Sequence, residues 1–374
     1  MRKMSLLGTL MLCAAVAGPA GRDSGSIFPG AAWAKATPSE LGWSAERLGE
    51  ARKYFDTLPP ANLVVVDRGR VVVEWGDSAM KIMVSSVRKS ILSVLYGIDL
   101  PDSKLDLDTT IGQLGIDDDP PLTAEEKKAT VRMLLEARSG VYHSSVGNTP
   151  TMLLTKPERG SHAPGTFFYY NNWDFNALGT IFEQQFHTAI GREFRDKIAL
   201  PTQMEDFRLE DMYYKRAEPD DPAYVKSLHP AYPFRLSARD LARFGYLLLR
   251  DGNWNGTRIV PSVWIEQSTR SYTENARDGA GYGYLWWING FGVPVKNFYA
   301  LGALGKFLVV IPDRDLVVVF LNHTEFPPNG STMSLAEYNK LPNVSVSEMG
   351  RLLELLLAAQ GAGKSPVRPA SNQR

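Results

Sequence analysis

The stretch "MVSSVRKSILSVLYGI" (residues 83–98) places Ser86 three positions before Lys89. An alcohol is a weak nucleophile until a base removes its proton, and a lysine can act as that base only when it is neutral. At the start of a helix, residues i and i+3 lie on neighbouring azimuths, so the Lys89 amine can reach the Ser86 oxygen. Arg88 adds positive charge that would help to lower the pKa of Lys89. Two interpretations stay open on this segment alone: a nucleophile with its base, or a serine helix cap beside a surface lysine.

The same spacing occurs a second time, at Ser78 and Lys81. Ser78 follows a predicted strand within a Gly/Asp turn, and nothing after it would hold the lysine in place. From residue 83 onward the apolar positions recur at helical spacing, so Ser86 stands where strand gives way to helix. The unpaired amides of a first helical turn favour an anion at that place. Context therefore favours Ser86 as the reactive serine.

A second candidate segment is "PGTFFYYNNWDFNALG", which contains Tyr170 and Asn172 before a predicted helix. A phenol beside a nucleophile can pass a proton to the leaving group, and an amide can hold the lysine and the substrate carbonyl. The alternative is aromatic packing next to an Asn helix cap.

The third candidate segment is "FYALGALGKFLVVIP", in which Gly-rich backbone enters a strand. Glycine lets the main chain approach a ligand closely, so an amide near Gly302 and Ala303 could complete an oxyanion hole with the amide of Ser86. A bulge or a turn is the alternative there.

The sequence lacks the motifs that indicate other catalytic or cofactor-binding chemistries. We find no Gly-x-Ser-x-Gly elbow, no His-Glu-x-x-His helix, no phosphate-binding loop and no Gly-x-Gly-x-x-Gly after a strand. The histidines are scattered without ligand spacing, at positions His143, His162, His187, His229 and His323. We therefore expect neither a metal nor a cofactor.

The charge balance and composition point to a small partner. Of the 374 residues 44% are hydrophobic and 22% charged, and 41 Lys and Arg balance 41 Asp and Glu. Such a chain folds as a soluble protein and has no net field that would attract nucleic acid. We expect a small-molecule or short oligomeric substrate.

The first residues, "MRKMSLLGTLMLCAAVAGPAG", combine a basic start, an apolar segment and small residues. This is typical of a secretory signal peptide, here residues 1–20, and the apolar segment is too short for a comfortable membrane span. We expect an exported protein, periplasmic or secreted, without stable membrane insertion. The only cysteine, Cys13, lies inside that segment, so disulfides are not expected.

The strand patterns cluster at both ends of the folded chain: "NLVVVDRG" and "RVVVEWG" predict a hairpin near the start, and "KFLVVIP" and "DLVVVFLN" predict two strands near the end. Helical patterns, for example "TAEEKKATVRMLLEARSG", lie between them. This predicts an α+β fold with one antiparallel sheet built from both ends and an inserted, mostly helical region. The predicted divisions are a spacer at 21–38, a sheet domain at 39–100 and 255–360, a helical domain at 101–254 and a disordered tail at 361–374.

Ser86 and Lys89, then Tyr170 and Asn172, then the Gly-rich segment at Gly302, stand in an order that resembles one known group. This group is the class C β-lactamase and penicillin-binding protein superfamily of serine hydrolases, which also holds esterases and 6-aminohexanoate-dimer hydrolase. Further similar segments are "TVRMLLEARSG", "PGT", "SARDLARFGYLLLRDG", "IVPSVWI" and "YGYLWW". The resemblance covers roughly residues 40–358 and implies a β-lactamase-like fold.

The resemblance also implies roles for individual residues. Ser86 would be the acylated nucleophile, Lys89 its base and Tyr170 the group that passes a proton to the leaving group. Asn172 would orient Lys89 and the substrate, and the amides of Ser86 and Ala303 would form the oxyanion hole. The pair Tyr169 and Asn171 fits the same pattern, but the distance from Pro164 favours Tyr170.

The chain departs from the family pattern at its third motif. That motif usually begins with Lys or His, whereas Ala300-Leu301-Gly302 stands here. The cation that would hold the carboxylate of a β-lactam is missing there, although Lys306 could supply charge from another position. We therefore expect hydrolysis of an amide or ester through an acyl-enzyme. The alternatives are a β-lactamase or D-Ala-D-Ala carboxypeptidase, and a catalytically silent relative that binds peptidoglycan fragments or a protein.

Overall fold

The computed structural model describes residues 26–216, 226–327 and 332–361. The predicted signal peptide with Cys13, part of the predicted spacer, and the predicted tail beyond Gly361 lie outside the described residues. Within the described ranges, no helix combines the length and apolar character that a bilayer span requires.

Most strands of the described residues join one large sheet. The strands, numbered in chain order, are β1 (Ala61–Asp67), β2 (Arg70–Trp75), β3 (Ile82–Met83), β4 (Arg235–Leu236), β5 (Asn253–Trp254), β6 (Thr257–Arg258), β7 (Thr273–Arg277), β8 (Ala280–Tyr282), β9 (Trp287–Ile288), β10 (Phe298–Gly302), β11 (Lys306–Ile311) and β12 (Leu316–Asn322). The order across the sheet is β2-β1-β12-β11-β10-β9-β8-β7, and every pair is antiparallel. The predicted α+β fold, with one antiparallel sheet built from both chain ends, is confirmed.

Helices cover the sheet and fill the inserted region. They are α1 (Ala45–Phe55), α2 (Val87–Asp99), α3 (Val131–Leu135), α4 (Pro150–Thr155), α5 (Asn172–Phe186), α6 (Ile190–Phe194), α7 (Ala238–Leu249), α8 (Ser262–Ser268), α9 (Leu335–Tyr338) and α10 (Val346–Gln360). On one face of the sheet, α7 contacts β1, β11 and β12. On the other face, α1 packs on α10 and its Phe55 contacts Phe320 of β12. The helix α7 thus packs on the sheet although it falls within the predicted helical region.

The central strands form the core because both of their faces are covered. All residues of β1, β11 and β12 are buried, which explains their continuous apolar runs rather than an alternating pattern. The hairpin predicted from "NLVVVDRG" and "RVVVEWG" is formed by β1 and β2, and its turn contains Arg68 and Gly69 at positive φ.

One predicted helix is broken in the structure. The segment "TAEEKKATVRMLLEARSG" forms a short 3-10 turn over Glu126–Lys128 and then α3. Thr130 lies between them in an extended conformation, and its side chain accepts a hydrogen bond from the Met133 amide. Threonine caps a new helix there instead of continuing the old one, because its hydroxyl can satisfy a free first-turn amide.

The helix α2 carries the predicted nucleophile into the middle of the molecule. It begins after β3 and contacts β10 and β11 of the sheet as well as α5 and α6 of the inserted region. From Val87 to Gly97 every residue of this helix is buried. Its start therefore lies where the sheet, the inserted region and the turn after β10 meet.

Candidate active site

The backbone before α2 leaves the Ser86 hydroxyl free of a capping role. The Val84 amide donates to the Phe234 carbonyl oxygen over 2.9 Å, and Ser85 has a φ of 52°. Ser86 is the N-cap of α2, with a φ of −73°, but its side chain makes no capping hydrogen bond. The interpretation of Ser86 as an ordinary helix cap is therefore not supported by the structure.

Lys89 lies directly against Ser86. Its Nζ is 2.6 Å from Ser86 Oγ and 2.9 Å from the Tyr170 hydroxyl, and the residue is only 2% exposed. The alternative of a surface lysine is thereby excluded. Within the described part of the chain Lys89 forms no ion pair, and its Nζ lies 4.8 Å from the centre of the Phe175 ring.

The surroundings of Lys89 favour its neutral form. Burial lowers the pKa of Lys89 well below its ordinary value, and the positive charge of Arg88 lowers it further. A neutral amine within hydrogen-bond distance of a serine hydroxyl is the arrangement that a base-activated nucleophile needs.

Tyr170, and not Tyr169, is the tyrosine at this site. The Tyr169 hydroxyl donates to the Met152 carbonyl oxygen over 2.7 Å, away from Lys89. The Tyr170 ring stacks on Trp287 with a centroid distance of 5.4 Å and contacts the edge of Tyr282 at 6.0 Å. Burial raises the pKa of the Tyr170 phenol, an effect that the Ser86 hydroxyl and Arg88 oppose.

Asn172 begins α5, but its amide does not reach Lys89. Its Nδ2 donates to the Gly147 carbonyl oxygen over 2.7 Å, and its Oδ1 is buried without a hydrogen-bond partner in the described ranges. The start of the helix turns this side chain toward the loop that contains Gly147. The geometry does not support the expected orienting contact with Lys89, and a contact with substrate stays a prediction.

The end of β10 lies against the turn that carries Ser86. A Cβ built on Gly302 would stand 2.3 Å from the Val84 carbonyl oxygen and 3.2 Å from Ser85 Cβ. Only glycine permits this approach of β10 to the turn that carries Ser86. The approach of this backbone to a ligand stays a prediction. Ala303 follows directly in the turn before β11. The role of its amide in an oxyanion hole stays a prediction.

Lys306 has a partner inside the protein. The residue is fully buried, and its Nζ donates to the Thr324 carbonyl oxygen. Burial lowers the pKa of Lys306 to about 8, and Glu325 opposes this effect. Lys306 thus attaches the chain that follows β12 to the start of β11.

An aromatic wall stands behind Tyr170, and no motif of the sequence predicts it. Tyr282 and Trp287, both buried, form this wall together with Phe175. The segment "YGYLWW", one of those that resemble the β-lactamase and penicillin-binding protein superfamily, contains Tyr282 and Trp287. Aromatic residues can pack in many ways, so the sequence signal does not indicate which ring supports the catalytic candidate.

The described residues, 26–216, 226–327 and 332–361, contain no cluster of metal-binding side chains. No group of three or more His, Cys, Asp or Glu side chains there could hold an ion. His143 and His229 are both buried and pack against Trp173 instead.

The structure defines the class of protein. It has an antiparallel sheet with flanking helices and a serine at the start of a buried helix, and these features are those of serine hydrolases with a β-lactamase-like fold. A family model described as Beta-lactamase matches residues 52–338, and the chain belongs to this family.

Solved structures support the fold. An octameric penicillin-binding protein homologue from Pyrococcus abyssi is 19% identical, with a TM-score of 0.58 over 75% of this chain and 74% of that one. A protein named as a 6-aminohexanoate-dimer hydrolase from Bacillus anthracis is 20% identical, with a TM-score of 0.57 over 86% and 88%. A β-lactamase from Mycobacterium bovis is 19% identical, with a TM-score of 0.52 over 82% and 100%.

A curated sequence relative matches a shorter region. An uncharacterized protein of Alkalihalophilus pseudofirmus is 30% identical over 106 residues, which are 25% of this chain and 32% of that protein. The chain therefore spans about a third of the length of this relative.

Proposed function

We propose that this protein is an exported serine hydrolase that cleaves an amide or ester bond through an acyl-enzyme on Ser86. The observation that carries the proposal is the 2.6 Å separation between Ser86 Oγ and the buried Lys89 Nζ. Lys89 makes no ion pair with the described residues, and its low pKa leaves a lone pair available to accept the serine proton.

The reaction proceeds in two halves. The Ser86 proton moves to Lys89 Nζ while Ser86 Oγ bonds to the substrate carbonyl carbon, and the amides of Ser86 and Ala303 stabilise the oxyanion. The tetrahedral intermediate then expels the amine or alcohol, which receives the proton from Lys89 through the Tyr170 hydroxyl. Water hydrolyses the resulting Ser86 ester, which releases the carboxylic acid and restores the hydroxyl.

The residues near the turn after β10 support an amide or ester substrate over a β-lactam. Ala300 provides no cation at the family's third motif, and the Lys306 ammonium is bound to the Thr324 carbonyl oxygen. A substrate carboxylate would therefore lack the usual partner on this strand. Similarity to the protein named as a 6-aminohexanoate-dimer hydrolase supports a small-molecule or short oligomeric amide.

Competition labelling tests the proposal. We expect a fluorophosphonate to label the wild type, Ser86→Ala to abolish this labelling, and a fluorescent penicillin to label weakly or not at all. Ser78→Ala is the matched control, because Ser78 has the same spacing to a lysine, but its hydroxyl donates to Glu74 and Lys81 is ion-paired with Asp211. This control should label like the wild type.

Each other outcome has a defined meaning. Strong penicillin labelling would support the β-lactamase or carboxypeptidase alternative, and labelling by neither reagent would support a silent binding protein. Labelling that survives Ser86→Ala would disprove the nucleophile. Export rests on the amino-terminal sequence, and it is tested by expressing the full chain in a bacterium and determining the first residue of the periplasmic product.

A further inference from the structure

Arg88, the neighbour of Lys89 on α2, is buried and has no counter-ion among the described residues. It is 6% exposed, and its Nη2 donates to Asn176 Oδ1 over 2.8 Å. Its Cζ lies 4.0 Å from the centre of the Tyr232 ring. Nη1 is buried and has no hydrogen-bond partner, and no carboxylate forms an ion pair with Arg88 within the described ranges.

Two other arginines, which are wholly or partly buried, do have carboxylate partners. Arg243 is fully buried and pairs with Glu205 over 3.1 Å, and Arg250 pairs with Asp315. A buried charge without a counter-ion destabilises a fold, so stability alone does not explain Arg88. Asn176 Oδ1 and the face of the Tyr232 ring hold the Arg88 guanidinium in place, but they do not neutralise its positive charge.

Arg88 contacts residues that support the candidate site, and it is the chain neighbour of Lys89. Lys89 follows it on α2, Asn176 comes from α5, and Tyr232 precedes β4. Its positive charge acts on the side chains of Lys89, Tyr170 and Tyr232, and it lowers the pKa of each of them. For Lys89 this effect adds to that of burial, and for the two tyrosines it opposes burial.

We propose that Arg88 is a positioning residue whose uncompensated charge keeps Lys89 unprotonated and thereby keeps Ser86 reactive at neutral pH. This inference rests on the proposed function and goes beyond it, because Arg88 itself neither accepts the proton nor contacts the reacting atoms. A positive charge near an amine disfavours the ammonium form, and the low polarizability of the buried surroundings strengthens this effect.

The test is the pH profile of the second-order rate of fluorophosphonate labelling, measured on wild type and Arg88→Met. The rate follows the neutral fraction of Lys89, so we expect the acidic limb of the Arg88→Met profile to move to higher pH by about one unit. Labelling should then be about tenfold slower than wild type on that limb, with both rates converging at high pH.

Three further variants separate charge from structure. Arg88→Lys retains the charge and should keep the inflection near that of the wild type. Asn176→Asp places a carboxylate against Nη2, so it should move the inflection upward without removing the guanidinium. Arg243→Met removes an equally buried arginine that already has a counter-ion, and it should leave the inflection unchanged.

The possible failures are distinguishable. A uniform drop of the Arg88→Met rate at every pH, or an unchanged profile, would overturn the role of Arg88. If Arg88→Met does not fold, an unmoved inflection in Asn176→Asp would overturn it as well. Absent labelling of the wild type, or labelling retained in Ser86→Ala, would instead contradict the proposed function.

Discussion

At the scale of single residues, the protonation states at the site depend on which side chains are buried away from water. Lys89 and Tyr170 are held by apolar and aromatic neighbours, and burial moves the pKa of the amine down and that of the phenol up. Both shifts favour the neutral forms, so the amine has a lone pair that can accept the serine proton and the phenol has a proton that it can pass to the leaving group.

Replacing Lys89 with Met should separate activity from stability. We expect the labelling rate of Ser86 to fall at least ~100-fold, because the base is lost. The Lys89→Met protein should be at least as stable as the wild type near neutral pH. In the wild type, Lys89 must release its proton when the chain folds, which costs free energy, and methionine has no such proton. Labelling kinetics and thermal unfolding of the same samples check this, and unchanged labelling would contradict the assignment of the base.

Tyr170→Phe should slow turnover by roughly 10²- to 10⁴-fold, the usual range for a lost proton-transfer group. Its ring would still stack on Trp287, so little stability should be lost. Tyr169→Phe is the matched control, because the Tyr169 hydroxyl bonds to the Met152 carbonyl oxygen and not to Lys89. Hydrolysis of a chromogenic ester by both variants measures the effect, and equal losses would argue against a specific role for Tyr170.

At the scale of elements, the site is a junction of α2, the end of β10 and the loop before α5. The close contact between Gly302 and Val84 sets the distance between β10 and the turn of Ser86. The loop before α5 brings Tyr170 across to Lys89, 81 positions along the chain. No one element holds all the groups, so their relative placement depends on packing between elements.

Gly302→Ala should therefore damage the site through the backbone. The new methyl group would overlap the Val84 carbonyl oxygen, and β10 would have to move away from Ser85, at about 1–3 kcal/mol of stability and with loss of activity. Gly49→Ala on α1 is the control, because a Cβ there meets nothing within 4 Å. It should stabilise the protein by roughly 0.5–1 kcal/mol. Chemical denaturation and ester hydrolysis measure both effects.

At the scale of the whole molecule, the inserted region buries ionisable groups that are not part of the candidate site. His143 and His229 pack against Trp173, and the Nε2 atom of each is buried without a hydrogen-bond partner within the described chain. Burial lowers the pKa of His143, with Arg159 acting in the same direction and Glu126 against it. Burial likewise lowers the pKa of His229, and Asp118 opposes that effect.

Both histidines should make the fold less stable in acid. Below about pH 6.5 the unfolded chain binds their protons while the folded protein does not, so the free energy of unfolding should fall as the pH falls. We expect His143→Gln and His229→Gln to lose less stability than wild type between about pH 7.5 and pH 5. His162→Gln, at the stack with exposed Phe167, is the control. If the free energy of unfolding fell with pH equally steeply in all four proteins, this result would contradict the prediction.

Short sequence patterns determine several strands and helices of this protein, because the periodicity of apolar residues depends on neighbours along the chain. Residue periodicity predicts the β1–β2 hairpin, the strands β11 and β12, and the start of α2 behind Ser86. The family resemblance, through the distance from Pro164, favours Tyr170 over Tyr169. These features depend on neighbours along the chain, and the structure agrees with them.

Only the tertiary structure decided how deeply Lys89 is buried, where the Asn172 amide points, and that Arg88 has no counter-ion in the part of the chain that the structure describes. Each of these depends on groups far away in the sequence, such as Asn176, which is 88 positions from Arg88. Burial and hydrogen-bond partners arise when distant elements pack, and they set the charge state of a side chain. The residue types at the site follow from the sequence, while their reactivity follows from the packing around them.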